Sequence, residues 1–141
     1  MTIGAILASK GDTVVAISSS DRVSDAVALL AEKRIGAVPV IDNGRVVGIF
    51  SERDVVYSIA KVGAAALDAR IGDVMTAPAM TVDADTAVMT GLSLMTKRRI
   101  RHLPVVNGET VVGFISIGDL VKYRIDHIEA EAAAMRDYIA T

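Results

Sequence analysis

Apolar and polar residues follow two rhythms along the chain, and both recur. Val23, Ala26, Val27 and Leu30 carry helical spacing, as do Val88, Gly91, Leu92 and Met95. Each helical run is followed by two short Val/Ile-rich segments that predict paired strands: 38–41 with 46–50, and 103–106 with 111–115. Asp42-Asn43-Gly44 and Asn107-Gly108 supply the turns between them, because Asn and Gly accept the backbone geometry of a tight hairpin. A further short strand is expected ahead of each helix, at 14–17 and 80–82. The polar turns Ser18-Ser19-Ser20-Asp21 and Asp83-Ala84-Asp85-Thr86 follow, with side-chain oxygens suited to capping the helix. A second helix is expected from Ser51 and from Ser116. The order is β-α-β-β-α, twice.

The recurrence is an internal repeat. An ungapped offset of 65 residues places Ile35 on Ile100, Pro39 on Pro104, Val46-Val47-Gly48 on Val111-Val112-Gly113, Ser51 on Ser116 and Asp54 on Asp119. Two units are too few for a solenoid. The expected fold class is therefore α/β (α+β), with two pseudo-symmetric β-α-β-β-α repeats in one module. Repeat 1 spans 14–60 and repeat 2 spans 77–123, joined by a connecting segment over 61–76 with short helical pieces at 63–67 and 71–75. A helical lead-in occupies 1–13 and ends at Lys10-Gly11, a cation-then-glycine stop. The remaining residues, 124–141, extend one long C-terminal helix that begins near Asp119. Its Val121, Ile125, Ile128, Ala132, Met135 and Ile139 are spaced alternately by four and three, a stripe that packs on its own domain or on a partner subunit.

Composition narrows the functions available. The 141 residues are 52% hydrophobic and 23% charged with a net charge of −2, which rules out a largely disordered chain. That balance, with a pI near 5.6, disfavours a nucleic-acid partner. There is no Cys, so disulfides, thiolate catalysis and zinc-thiolate sites are excluded, and a reducing cytoplasm fits. Polar residues interrupt every apolar run well short of the roughly 20 residues a membrane span requires. The start of the chain has no basic residue before Lys10 and makes a poor secretory signal. A soluble, cytoplasmic protein without a membrane partner is expected.

The candidate chemistry lies in Gly48-Ile49-Phe50-Ser51-Glu52-Arg53-Asp54 and Gly113-Phe114-Ile115-Ser116-Ile117-Gly118-Asp119, each at a strand-to-helix junction. One reading is a capping box, with the acidic residue reaching back to the Ser. Another is a nucleotide site: a helix start offers amide groups and positive dipole to an anion, and a carboxylate one turn on can accept ribose hydroxyls. A second feature is Lys97-Arg98-Arg99-Ile100-Arg101-His102, the densest basic stretch in the chain. Lys97, Arg98 and Arg99 are explained by the helix C-terminal dipole. Arg101 and His102 lead into a strand and are expected to contact phosphate. Repeat 1 has Gly36-Ala37 there and carries Arg53 where repeat 2 has Gly118. Two unequal sites are expected, with Asp119 the more important carboxylate.

The doubled unit resembles the cystathionine-β-synthase (CBS) domain, which occurs in tandem pairs. Ile35-Gly36-Ala37-Val38-Pro39-Val40 with 48–54, and Ile100-Arg101-His102-Leu103-Pro104-Val105 with 113–119, carry the likeness. The flanks are similar to those of small stand-alone bacterial CBS-pair proteins. The resemblance implies a cleft between repeats for AMP, ADP or ATP, or else NAD(H) or S-adenosylmethionine. By position, Asp54 and Asp119 would hold ribose hydroxyls. Ser51, Ser116, Arg53, Arg101 and His102 would face phosphates, and Ile35, Pro39, Ile100 and Pro104 would wall the base. It also implies a homodimer and an unidentified client protein.

Enzyme readings are weaker. His127 and Glu131 lie four apart on the last helix, but two ligands make a poor metal site, and no metal is expected. No Gly-x-Gly-x-x-Gly, P-loop or credible nucleophile arrangement is present. The expected function is a non-enzymatic adenine-nucleotide sensor. A NAD(H)-binding redox sensor and a purely structural interaction module are the alternatives.

Overall fold

Residues 1–11 and 13–140 are described by a computed structural model, and in both halves the valine-rich segments close into hairpins. In repeat 1, β1 (Ala37–Asp42) turns through Asn43 and Gly44 into β2 (Arg45–Ser51), with φ of 52° and 80° at the two turn residues. In repeat 2, β3 (His102–Asn107) turns through Gly108, at φ 64°, into β4 (Thr110–Ser116). Both turns meet the positive-φ demand of two-residue hairpins. The four strands form one antiparallel sheet in the order β1-β2-β4-β3. A single pairing, Arg45 with Thr110, joins the hairpins.

Helices cover the hairpins as the spacing predicts. α1 (Ile3–Lys10) precedes repeat 1, whose helices are α2 (Val23–Lys33) and α3 (Glu52–Val62). A 3₁₀ turn (Gly63–Asp68) and α4 (Ile71–Val74) make the connection to α5 (Val88–Arg98), and α6 (Ile117–Ala140) closes the chain. α2 buries Val23, Ala26 and Leu30, and α5 buries Val88, Gly91 and Met95. Both helices end on an arginine in the left-handed region, Arg34 (φ 54°) and Arg99 (φ 53°). The next amide folds back in each: Ile35 N–H to the Leu30 carbonyl (3.1 Å) and Ile100 N–H to the Met95 carbonyl (3.0 Å).

Two local expectations need correction. The strands expected at 14–17 and 80–82 shrink to single parallel bridges, Ile17 with Val40 and Val82 with Val105. Ile17 N–H donates to the Pro39 carbonyl and Ile41 N–H to the Ile17 carbonyl. The next rung would need an N–H from Pro39, which has none, and Pro104 stops the second copy the same way. The helix N-caps also fall later than the polar turns, on Arg22 and Ala87. Asp21 instead accepts the Ser18 amide (2.9 Å), and Asp83 the Asp85 amide (2.9 Å), so these carboxylates hold the turns.

The lead-in and the connection are equivalents. Ile3-Gly4 matches Ile71-Gly72 and Leu7 matches Met75, three residues out of step with the main register. The hydrogen bonds repeat: Ile3 and Gly4 donate to the Thr86 and Ala84 carbonyls, Ile71 and Gly72 to those of Asp21 and Ser19. Each segment completes one core. Ile3 and Ile6 are buried with Val105, Ile115 and Leu120 of repeat 2, and Ile71 with Val40 and Phe50 of repeat 1. Close crossing explains two glycines: a Cβ on Gly48 would meet Met75 Sδ at 2.7 Å, and one on Gly113 would meet Leu7 Cδ2 at 2.6 Å.

Candidate functional site

The two Ser-x-x-Asp motifs form matching helix starts. Asp54 Oδ2 accepts the Ser51 amide and Asp119 Oδ2 accepts the Ser116 amide, each at 2.9 Å, so the capping geometry is present in both. Ser51 Oγ also donates to Asp54 Oδ2 (3.3 Å), whereas Ser116 Oγ accepts the Asp119 amide (3.1 Å). The first helical amide is taken in each case by the segment before the first hairpin strand, Glu52 N–H by the Gly36 carbonyl and Ile117 N–H by that of Arg101.

The partners of the carboxylates differ. In repeat 1, Thr76 holds Ile49 through its amide (2.9 Å) and Asp54 Oδ1 through its hydroxyl (3.0 Å). In repeat 2 one ammonium does both jobs: Lys10 Nζ donates to the Phe114 carbonyl (3.0 Å) and pairs with Asp119 Oδ2 (2.6 Å). Lys10 reaches there because α1 runs a turn longer than α4. Asp119 is thus neutralised, while Asp54 forms no ion pair among the described residues.

Burial pushes the Asp119 carboxyl up, but the hydrogen bonds from Lys10 and Ser116 and the Lys10 charge outweigh it. The net displacement is below the ordinary 3.8. Stability from this pair is complete above that value and is lost as pH falls through the lower folded-state value. Lys10→Met is expected to lower the melting temperature at pH 7 by the equivalent of less than about 1 kcal/mol, since the pair is partly exposed. The difference should shrink progressively as pH falls below 3.8; a constant difference across a pH series of melts would assign the loss to packing alone.

A cleft of about 300 Å³ opens at the start of α3. Ser51, Glu52 and Arg53 form one wall, and Arg99, Ile100, Arg101 and His102 face them from repeat 2. Arg53 spans the gap, its Nη1 3.4 Å from the Arg99 carbonyl. The basic stretch of repeat 2 therefore faces the helix start of repeat 1 across the cleft, while His102 also lies within electrostatic reach of Asp119. Asp54 sits behind the wall, tied to Ser51 and to Thr76, which also lines the cleft. Ser116 and Asp119 do not line it. Ile35 lines a separate cavity of about 510 Å³ between α2 and α3, with Val27 and Val55. Pro39 and Pro104 are buried within their strands.

His102 stacks on Phe114, ring centres 5.4 Å apart and planes 11° from parallel. Burial lowers its pKa below 6.5; the charges of Lys10 and Arg101 also lower it, against opposing pulls from Asp119 and Glu52. At pH 7 it is a neutral ring, and the cleft's fixed cations are Arg53, Arg99 and Arg101. Sequence reasoning missed Arg99, whose left-handed backbone turns it away from a simple helix end. It also missed Thr76 and Lys10; the gapped match of 3–7 to 71–75 is the signal that points to them.

A family model for the CBS domain matches residues 8–61 and 71–126, and the chain belongs to the CBS domain family. It is similar to the mitochondrial CBS domain-containing protein CBSX3 of Arabidopsis thaliana, at 32% identity over 147 aligned positions, covering 98% of this chain and 71% of that protein. A protein with CBS domains from Burkholderia ambifaria MC40-6 has a solved structure with TM-score 0.83 and 37% identity, covering 89% of this chain and 95% of that one. The CBS domain pair of protein MJ0100, solved in complex with 5′-methylthioadenosine and S-adenosyl-L-methionine, shares the fold at TM-score 0.79 and 23% identity, over 90% of this chain and 98% of that one. Among the described residues, no helix is long and apolar enough to cross a membrane, and no cluster of His, Asp and Glu could hold a metal.

Proposed function

We propose that this chain is a non-catalytic regulatory module of the cytoplasm that binds an adenine nucleotide in the cleft between its repeats. The observation that carries the reading is the meeting of Arg53, Arg99 and Arg101, from two repeats, over the amino end of α3. Three guanidinium groups beside helix amides suit a phosphate. Asp54, without a cation of its own, orders the Ser51 and Thr76 hydroxyls that face a ribose from the cleft wall, and Ile49 and Ile100 offer apolar surface to a base. The adenosine ligands of the MJ0100 domain pair support the class of ligand. The Asp119 start is the poorer ribose site because Lys10 has neutralised it, so one dominant site per chain is proposed.

The cleft sits at the low end of the roughly 300–1,000 Å³ of ligand pockets, which favours a mononucleotide (AMP, ADP or ATP) over NAD(H). A ligand gripping Arg53 and Arg101 spans two halves whose hairpins share one pairing. It favours the arrangement that brings them together, and a client protein reads that arrangement. Melting curves with AMP, ADP and ATP test this: ligand at a hundred times its Kd should add about 2.7 kcal/mol of stability. No shift with any adenine nucleotide would sink the reading and leave a structural interaction module. Displacement of AMP by NADH at lower concentration would favour the redox alternative.

A further inference from the structure

The last half of α6 has almost nothing of its own chain to lie on. Leu120 is buried in the repeat 2 core, but Val121, Ile125, Ile128, Met135 and Ile139 are between 42% and 75% exposed. From Ile128 to Ala140 every residue except Ala133 is exposed. An isolated helix of that length is marginal in water, so the segment calls for a covering surface. The stripe has strict heptad spacing, with Ile125, Ala132 and Ile139 at a, and Val121, Ile128 and Met135 at d.

The flanking charges say what covers it and in which direction. The e positions are Lys122, Glu129 and Arg136, and the g positions include Arg124 and Glu131. In a parallel, in-register pair each g residue faces the partner's e residue five positions on. That sets Arg124 against the partner's Glu129 and Glu131 against the partner's Arg136, both attractive and each made twice. An antiparallel pair centred on the stripe sets Glu129 against the partner's Glu129, Glu131 against the partner's Glu131 and Lys122 against the partner's Arg136. All of those repel. The geometry points to a second copy of this chain as the occupant, with residues 121–139 forming a parallel two-stranded coiled coil. Each exposed pair adds little energy, but opposite and like charges discriminate between the two orientations. The exposed Val56, Tyr57, Ile59 and Val62 of α3 form a separate apolar face that this seam does not use.

The chain has no Cys, so a single introduced thiol reports the seam cleanly. In a parallel pair every d residue meets its own counterpart within disulfide reach. Met135→Cys, oxidised at micromolar protein, is expected to run as a covalent dimer on a non-reducing gel. Ala130→Cys, on the outer face, is expected to stay a single chain. Light scattering should give a dimer for the unmodified protein, and Glu129→Lys should raise its dissociation constant several-fold at low salt. The swap Arg124→Glu with Glu129→Lys should restore it. A monomer, a dimer in which Met135→Cys fails to cross-link, equal cross-linking at both positions, or a swap without recovery would each overturn the parallel seam.

Discussion

Arg101→Ala is expected to weaken adenine-nucleotide binding by about 10- to 100-fold, read by titration calorimetry. Arg101 faces Arg53 across the cleft while its own carbonyl holds the first amide of α6, so its backbone is fixed and only the guanidinium is lost. Hydrogen bonds to a charged group are worth about 1.5–3 kcal/mol, which sets the range. Arg53→Ala should cost a similar factor from the other wall. Lys97→Ala removes a cation from the same basic stretch but not from the cleft, and should change affinity less than twofold at moderate salt. Equal losses at Lys97 and Arg101 would mean that net charge, rather than the cleft, holds the ligand.

Gly48→Ala is expected to destabilise the chain by about 3 kcal/mol, lowering the melting temperature by roughly 10 °C. A Cβ at this position meets the Thr76 carbonyl at 2.8 Å as well as Met75 Sδ, and the carbonyl belongs to backbone paired on both sides with Ile49. Relief requires moving the connecting segment, which breaks both bonds and shifts the hydroxyl that holds Asp54. Gly113→Ala is the contrasting case. Its Cβ meets only the end of the Leu7 side chain, which can rotate, and about 1 kcal/mol is expected. Equal melting temperatures for the two variants would show that the crossing at Thr76 yields as easily as a leucine.

Much of the fold was legible because its signals are local. Asn43-Gly44 and Gly108 ask for positive φ, and the structure places tight hairpins there. The Val23, Ala26, Leu30 spacing needs one buried face, and it has one. The shortened first strands were harder. Pro39 stands in the sequence, but its missing N–H ends a ladder only if Val14 to Ile17 lies along that edge, which no local pattern states. The equivalence of α1 and α4 was hidden by a three-residue insertion that an ungapped comparison cannot cross. The site was half legible: the residue types at 51–54 and 99–102 suggested phosphate chemistry, but which half faces which is a tertiary outcome. Arg99 looked complete as a helix-end cation, and only its left-handed turn shows another use.

Ile3, Ile6 and Leu120 share one hydrophobic interior, so α1 and α6, more than a hundred residues apart, are fastened to each other like a buckle. A protease that clipped before Leu7 would hollow out the distal half of the molecule and leave the sequence-adjacent half intact.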